Sequence, residues 1–265
     1  MSTGKGFFTD TTLCIGCKAC EVACKQWNQL PEDGYLFSGM SYDNTIHLGA
    51  STWRHVAFVE RPVAINTQEA GAFSWLFSSD VCKHCARAGC LESCPTGAII
   101  RTEFDSVYVQ PDICNGCGYC VVNCPFGVID RSEEDGRAWK CTLCYDRLRE
   151  DMTPACAKAC PTDSIQFGDL DELHKNAEAR VEKLHSSGLA DAYLYGASEA
   201  DQPGTQGLNA FFLLLDKPEV YNLPPDPVVP TKKVKAAWTS MAASAAGIAI
   251  AAVGSVLLSR KGIQN

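Results

Sequence analysis

Sixteen cysteines fall into four groups of four with none left over, and no other feature restricts the possible folds as much. The first group is Cys14, Cys17, Cys20 and Cys24, and the second is Cys82, Cys85, Cys90 and Cys94. The third is Cys114, Cys117, Cys120 and Cys124, and the fourth is Cys141, Cys144, Cys156 and Cys160. Groups one and three read C-x2-C-x2-C-x3-C, while group two widens one gap to four residues and group four widens one to eleven. Pro95, Pro125 and Pro161 follow the last cysteines of groups two, three and four; Lys25 follows Cys24.

A disulfide framework fits this pattern poorly, because thiols crowded two or three residues apart have many equally good wrong partners. The opening MSTGKGFFTD also lacks a basic stretch followed by an apolar run, so no secretory signal is expected. Structural zinc takes four ligands, normally as two close pairs, and has no use for a third cysteine three residues later. Redox thiols require one C-x-x-C of low pKa, not four tetrads. A [4Fe–4S] cube accounts for the spacing: one short loop takes three corners, and the fourth cysteine, as in two-cluster ferredoxins, ligates the neighbouring cube. Gly16 and Gly116 lie in those tight loops, where a positive φ is useful. Proline suits a chain leaving the loop in a new direction. Four tetrads then imply four [4Fe–4S] clusters.

Position along the chain suggests the pairing. Groups two and three are separated by 19 residues, Pro95 to Ile113, room for a helical turn and a short hairpin such as Ser106 to Gln110. Groups one and four are left to each other. Exchange of the fourth cysteines then predicts cube A on Cys14, Cys17, Cys20 and Cys160, and cube B on Cys24, Cys141, Cys144 and Cys156. Cube C falls on Cys82, Cys85, Cys90 and Cys124, and cube D on Cys94, Cys114, Cys117 and Cys120. The alternative pairs group one with two and three with four. Lys25 is the departure from the proline pattern and bears on Cys24.

At 265 residues the chain exceeds one ordinary domain. Its 46% hydrophobic content includes the cysteines, so the aliphatic and aromatic core is thin and cube-filled modules would complete it. Lys+Arg 23 against Asp+Glu 31 gives a net charge of −8, the wrong sign for a nucleic-acid partner. Four oxidised cubes would take this to about −16, to be offset by N–H groups donating to sulfur. No G-x-G-x-x-G or G-K-[ST] loop supports a nucleotide site, and no catalytic residue is expected. His84, between Cys82 and Cys85, reads as a hydrogen-bonding loop residue rather than a ligand; His47 and His55 lie in the insert between groups one and two, where Trp53 to Glu60 reads as a strand. Trp27, Tyr119 and Phe126 are expected to shield cubes from water.

Asp169 to Ser187 has apolar residues near helical spacing, Asp169 as N-cap and Gly188 as a stop. Ala210 to Leu215 reads as a buried strand, and Pro218 to Pro230, with five prolines, as a stiff extended linker. Ala236 to Ser259 then runs 24 residues without a charge, about 36 Å of helix against a hydrocarbon core of about 30 Å. Ser240, Ser244, Gly247, Ala251 and Ser255 place small residues on helix-packing spacings. Lys232, Lys233 and Lys235 precede the run and Arg260 and Lys261 follow it, which leaves orientation open.

The segments CIGCKACEVACKQWN, CKHCARAGCLESCPTG, CNGCGYCVVNCPFG, WKCTLCYDR and ACPTDSIQFG together resemble the four-cluster electron-transfer subunits of molybdenum or tungsten oxidoreductases of the dimethyl-sulfoxide-reductase superfamily. CIGCKAC followed by WN, the helix ending ARVEKLHSSG and EVYNLPPDP before an apolar tail are most similar to the iron–sulfur (beta) subunits of membrane-bound formate dehydrogenases. The resemblance implies an α+β fold with two two-cluster ferredoxin-like modules, one inserted in the other, plus a C-terminal transmembrane helix. Residues 1–81 with 130–168 would form the outer module (A and B), 82–129 the inner module (C and D), 169–231 a helix, strand and linker, and 232–265 the anchor. It implies a molybdopterin or tungstopterin catalytic (alpha) subunit that oxidises formate, and a membrane cytochrome b or quinone-reactive (gamma) subunit. It also implies contact with membrane lipid, export of the cluster domain to the outer, periplasmic face, and A and B nearer the catalytic partner. Equivalent subunits serve hydrogen, polysulfide, nitrite or sulfoxide chemistry, and a diffusible polyferredoxin is the reading from a different class.

Overall fold

The computed structural model describes residues 4–32, 37, 39, 45, 47–62 and 73–262, and side chains at all of these except 61, 62, 73, 74 and 256–262. Strand β1 (Lys5–Asp10) leads into the first cysteine group, and helix α1 (Ala19–Asn28) carries Cys20 and Cys24. The insert contributes an antiparallel hairpin of β2 (Arg54–Pro62) and β3 (Phe73–Val81), paired from Arg54 opposite Val81 to Pro62 opposite Phe73. Helix α2 (Gly89–Glu92), the hairpin β4 (Ile99–Arg101) with β5 (Val107–Val109), and helix α3 (Tyr119–Val122) span groups two and three. The short pair β6 (Asp130–Arg131) and β7 (Ala138–Trp139) follows, then α4 (Tyr145–Arg149) and α5 (Ala155–Lys158) in group four. Strand β8 (Ile165–Asp169), helix α6 (Leu170–Ser186), β9 (Tyr193–Tyr195) and β10 (Ala210–Leu214) complete the first compact unit, Met1–Val229.

Four strands form a sheet in the order β8-β1-β10-β9, with β1 parallel to β10 and antiparallel to β8. Thus the strand before group one pairs with the strand after group four. β10, AFFLL, is buried along its whole length, as a central strand covered on both faces should be. Alternation along β1 sends Phe8 to the face covered by Leu173, Ala177 and Leu184 of α6, while Phe7 joins a core that contains Cys20, Cys24, Cys141 and Cys156. Cysteines are interior side chains of both cores, Cys85, Cys90 and Cys120 lying in the one that holds Phe8.

Two expectations change in detail. Asp169 does flank α6, but its carboxylate makes no capping bond and pairs with Lys5 at 2.9 Å across the β1–β8 edge. The proline-rich stretch is not an extended linker throughout: Pro218–Tyr221 is a 3-10 turn, and Tyr221, Leu223 and Val229 are buried. The prolines fix φ while the apolar residues between them are drawn onto the body. The second unit, Pro230–Asn265, consists of a 3-10 turn (Pro230–Lys233) and helix α7 (Val234–Gly262). Over Pro230–Ser255 it is long and apolar enough to cross a membrane.

Candidate functional site

The four C-x-x-C loops share one backbone device. The residue just before the second cysteine has positive φ in every case: Gly16 at 67°, His84 at 43°, Gly116 at 71° and Leu143 at 60°. This left-handed residue turns the backbone so that both flanking sulfurs face the same side; glycine adopts it freely, whereas His84 and Leu143 are held in it by burial. After the last cysteine, Gly97, Gly127 and Asp163 repeat a left-handed turn two residues beyond Pro95, Pro125 and Pro161. Cys24 has no such turn because α1 continues through Lys25 to Asn28, with the left-handed residue delayed to Gln29. Helix continuation is why lysine, which keeps its N–H, stands where the other groups have proline. Asn28 donates to the Cys24 carbonyl at 2.9 Å and approaches its Sγ at 3.7 Å.

All sixteen cysteines are free thiols. One cavity is lined by Cys14, Cys17, Cys20 and Cys160, and another by Cys82, Cys85, Cys90 and Cys124. Cys24 faces Cys141, Cys156 and Cys144, and Cys120 faces Cys114, Cys117 and Cys94. The structure thus brings together the members of each predicted set, A to D. Adjacent sets also meet: Cys20 faces Cys156, Cys141 faces Cys82, and Cys90 faces Cys120, so the sets adjoin in the order A, B, C, D. Cys17 in A and Cys117 in D are exposed, whereas every thiol of B is buried. Exposed Ile15 and Val22 flank the first, and exposed Ile113, Tyr119 and Val122 the second.

Burial, reinforced by mutual repulsion, pushes these thiols up: Cys20, Cys120 and Cys144 to about 11 and Cys90 to about 12, with Cys24, Cys85 and Cys141 also raised. Packing so many thiols together makes sense only if a cationic centre draws off their protons. Among the described residues, no three His, Cys, Asp or Glu side chains converge tightly enough for a single ion. Sets of four sulfurs, around a shared cavity in A and in C and not converging on a point as a lone zinc's ligands do, fit an iron–sulfur cube.

Three cations that sequence reading did not single out are buried among these sets. Lys83, 1% exposed, is paired with Asp80, donates to the Val81 carbonyl at 2.9 Å and lies 5.1 Å over the Phe126 ring. Lys140 donates to the carbonyls of Val107 and Cys141; burial works against its charge, but the thiols of Cys82, Cys90 and Cys141 outweigh that. Arg54, also 1% exposed, has the same balance of burial against the thiols of Cys156, Cys20, Cys141 and Cys24. Lysine beside cysteine in CKHC and WKC was a usable signal; Arg54 lies far in sequence from any cysteine and gave none. His84 is buried and accepts a hydrogen bond on Nδ1 from Val107 N–H at 3.1 Å, with its pKa well below the ordinary value through burial and the nearby cations. Trp27 and Tyr119 are surface residues, 41% and 57% exposed. Trp27 stacks under Arg147 at 4.2 Å and donates to Asp146 at 2.7 Å, because α1 turns that face outward. Only Phe126 packs inward. Of the insert histidines, His55 lies on β2 and His47 is exposed.

The 4Fe-4S dicluster domain matches twice, over residues 13–98 and 73–170, so the chain carries dicluster ferredoxin-like domains and [4Fe–4S] clusters are its cofactors. The formate dehydrogenase iron–sulfur subunit of Haemophilus influenzae is 41% identical over 224 residues, covering 83% of this chain and 68% of that protein. The nitrate-inducible formate dehydrogenase iron–sulfur subunit of Escherichia coli is 39% identical over 226 residues, covering 84% and 73%. One subunit of the anaerobic dimethyl sulfoxide reductase of Escherichia coli is 34% identical over 175 residues, covering 66% and 78%. Shared sequence of that extent, over a fold built around paired thiol sets, means that this protein belongs to the family of formate dehydrogenase iron–sulfur subunits.

Proposed function

We infer that this chain is the electron-transfer subunit of a formate dehydrogenase, with no catalytic site of its own. It relays electrons from formate oxidised in a molybdenum- or tungsten-pterin catalytic subunit to a haem b or quinone partner in the membrane. Four [4Fe–4S] clusters are proposed: A on Cys14, Cys17, Cys20 and Cys160; B on Cys24, Cys141, Cys144 and Cys156; C on Cys82, Cys85, Cys90 and Cys124; D on Cys94, Cys114, Cys117 and Cys120. Each bound cube supplies a one-electron couple. The observation that carries the reading is the linear adjacency of the four thiol sets with an exposed cysteine in each terminal set, Cys17 and Cys117, and none in B between them. A buried interior with two accessible ends is what a conduit needs: side chains exclude water along its length and leave the ends open to partners.

Set A is assigned to the catalytic partner and set D to the membrane partner, as the sequence resemblance implies. The uncharged run of α7 is assigned as the anchor, packing through its small residues on a helix of the membrane partner, with the cluster domain on the outer face. Purification from anaerobic membranes tests this. The expected result is a complex containing a large pterin subunit, with about sixteen irons on this chain and cluster signals that appear on adding formate. A chain isolated alone and soluble, fully loaded with iron, would mean a diffusible polyferredoxin instead.

A further inference from the structure

Arg54 opens strand β2, and its guanidinium is fully enclosed at the place where sets A and B meet. Its Nη1 donates to the Ser79 hydroxyl at 3.0 Å and to the Ser79 carbonyl at 3.3 Å, and the group lies 4.9 Å over the Phe7 ring. Nε and Nη2 are buried with no hydrogen-bond partner among the described residues. The groups that most favour its charge are four thiols, Cys156, Cys141 and Cys24 from B and Cys20 from A, and among the described residues it forms no ion pair with a carboxylate. A buried guanidinium without a counter-ion is strongly unfavourable, so the site makes physical sense only when anionic sulfur surrounds it.

Ser79 extends the contact. A hydroxyl has one proton and two lone pairs. Arginine is only a donor, so it occupies a lone pair of Ser79 Oγ and leaves the hydroxyl proton for Cys20 Sγ, 3.2 Å away. Arg54 therefore orients a hydrogen bond onto a sulfur of A while its remaining N–H groups are free to donate toward sulfur at the junction. Donors and positive charge beside a cube favour its more negative, reduced form.

Resting on the ligand sets proposed above, we propose that Arg54 and Ser79 are positioning residues for electron transfer, an internal counter-cation and its relay that raise the reduction potentials of the A–B pair. Arg54 acts on both A and B, and Ser79 on A. Because the guanidinium is enclosed, the effect is insensitive to ionic strength.

The test uses the intact complex and redox titration followed by electron paramagnetic resonance, with Arg54→Gln, Arg54→Lys and Ser79→Ala. The signals of A and B are first identified as those missing from Cys17→Ser and Cys144→Ser. At a fixed potential, Arg54→Gln is expected to lower the reduced-to-oxidised ratio of both signals tenfold or more, about 59 mV for a one-electron couple, leaving C and D in place. Ser79→Ala lowers A alone, and Arg54→Lys, which keeps the charge but not the planar fork, restores most of the ratio at B. Full iron content with unmoved potentials in Arg54→Gln overturns the proposal, as does an equal shift of all four signals. If Arg54→Gln does not assemble, Ser79→Ala and Arg54→Lys decide: an unmoved A in the first, or in the second a loss at B of tenfold or more despite the retained charge, overturns it. Wild-type complex without four distinguishable clusters would instead refute the ligand sets.

Discussion

Replacing Cys24 by serine tests the assignment on which the A–B arrangement depends. Cys24 is 6% exposed on α1, which packs against α5, the helix that carries Cys156. A cross-link from residue 24 to group four would by itself close a loop of about 120 residues, worth about 5 kcal/mol in chain entropy. Cube A already ties Cys20 to Cys160, so the ring lost runs only from Cys20 to Cys24 and back through Cys156 to Cys160. That ring has about ten residues and is worth about 3 kcal/mol. The expected outcome is a fall of about 6–12 °C in apparent Tm and a drop from about sixteen to about twelve irons per chain, or about fifteen if a three-iron remnant persists. Iron analysis and resonance spectra after dithionite read both. The signal missing from Cys24→Ser must be the one missing from Cys144→Ser. If it is the one missing from Cys85→Ser, group one pairs with group two and the reasoning fails.

Further outcomes follow from single sites. Gly116→Ala puts a Cβ 2.5 Å from the Gly136 carbonyl oxygen at a φ of 71°, and is expected to cost about 1–2 kcal/mol for the left-handed residue alone and to weaken signal D before the others; spectra unchanged in all four signals count against that loop geometry. Leu173→Ala on α6 removes a buried side chain where α6 packs on β1, β8 and β9, and should cost about 2–5 kcal/mol while iron per folded molecule stays constant; a selective loss of one cluster would mean that α6 supports a thiol set directly. A chain ending at Thr231 retains the whole first unit and is expected in the soluble fraction with its full iron; retention on membranes stripped of the other subunits would remove α7 as the anchor.

Local physics made much of this protein readable from its sequence. The tetrads, the positive-φ glycines, the hairpin between groups two and three, the amphipathic periodicity of α6 and the apolar run of β10 are short-range patterns, because each depends on bonded geometry or on which face of one element meets water. The same holds for the uncharged tail, whose length is a property of the segment itself. Which of Trp27, Tyr119 and Phe126 turns outward is not a local property, since the outward face of a short helix is set by what it packs against.

Only the tertiary structure showed that β1 and β8, separated by the whole cysteine region, pair as neighbours, and that α1 runs on past Cys24 where the other groups break at proline. It alone put Arg54 at the meeting point of two thiol sets and Lys140 at another. Nothing in one segment encodes such a meeting: the energy of a buried charge depends on every group that surrounds it in space, and those groups come from distant parts of the sequence.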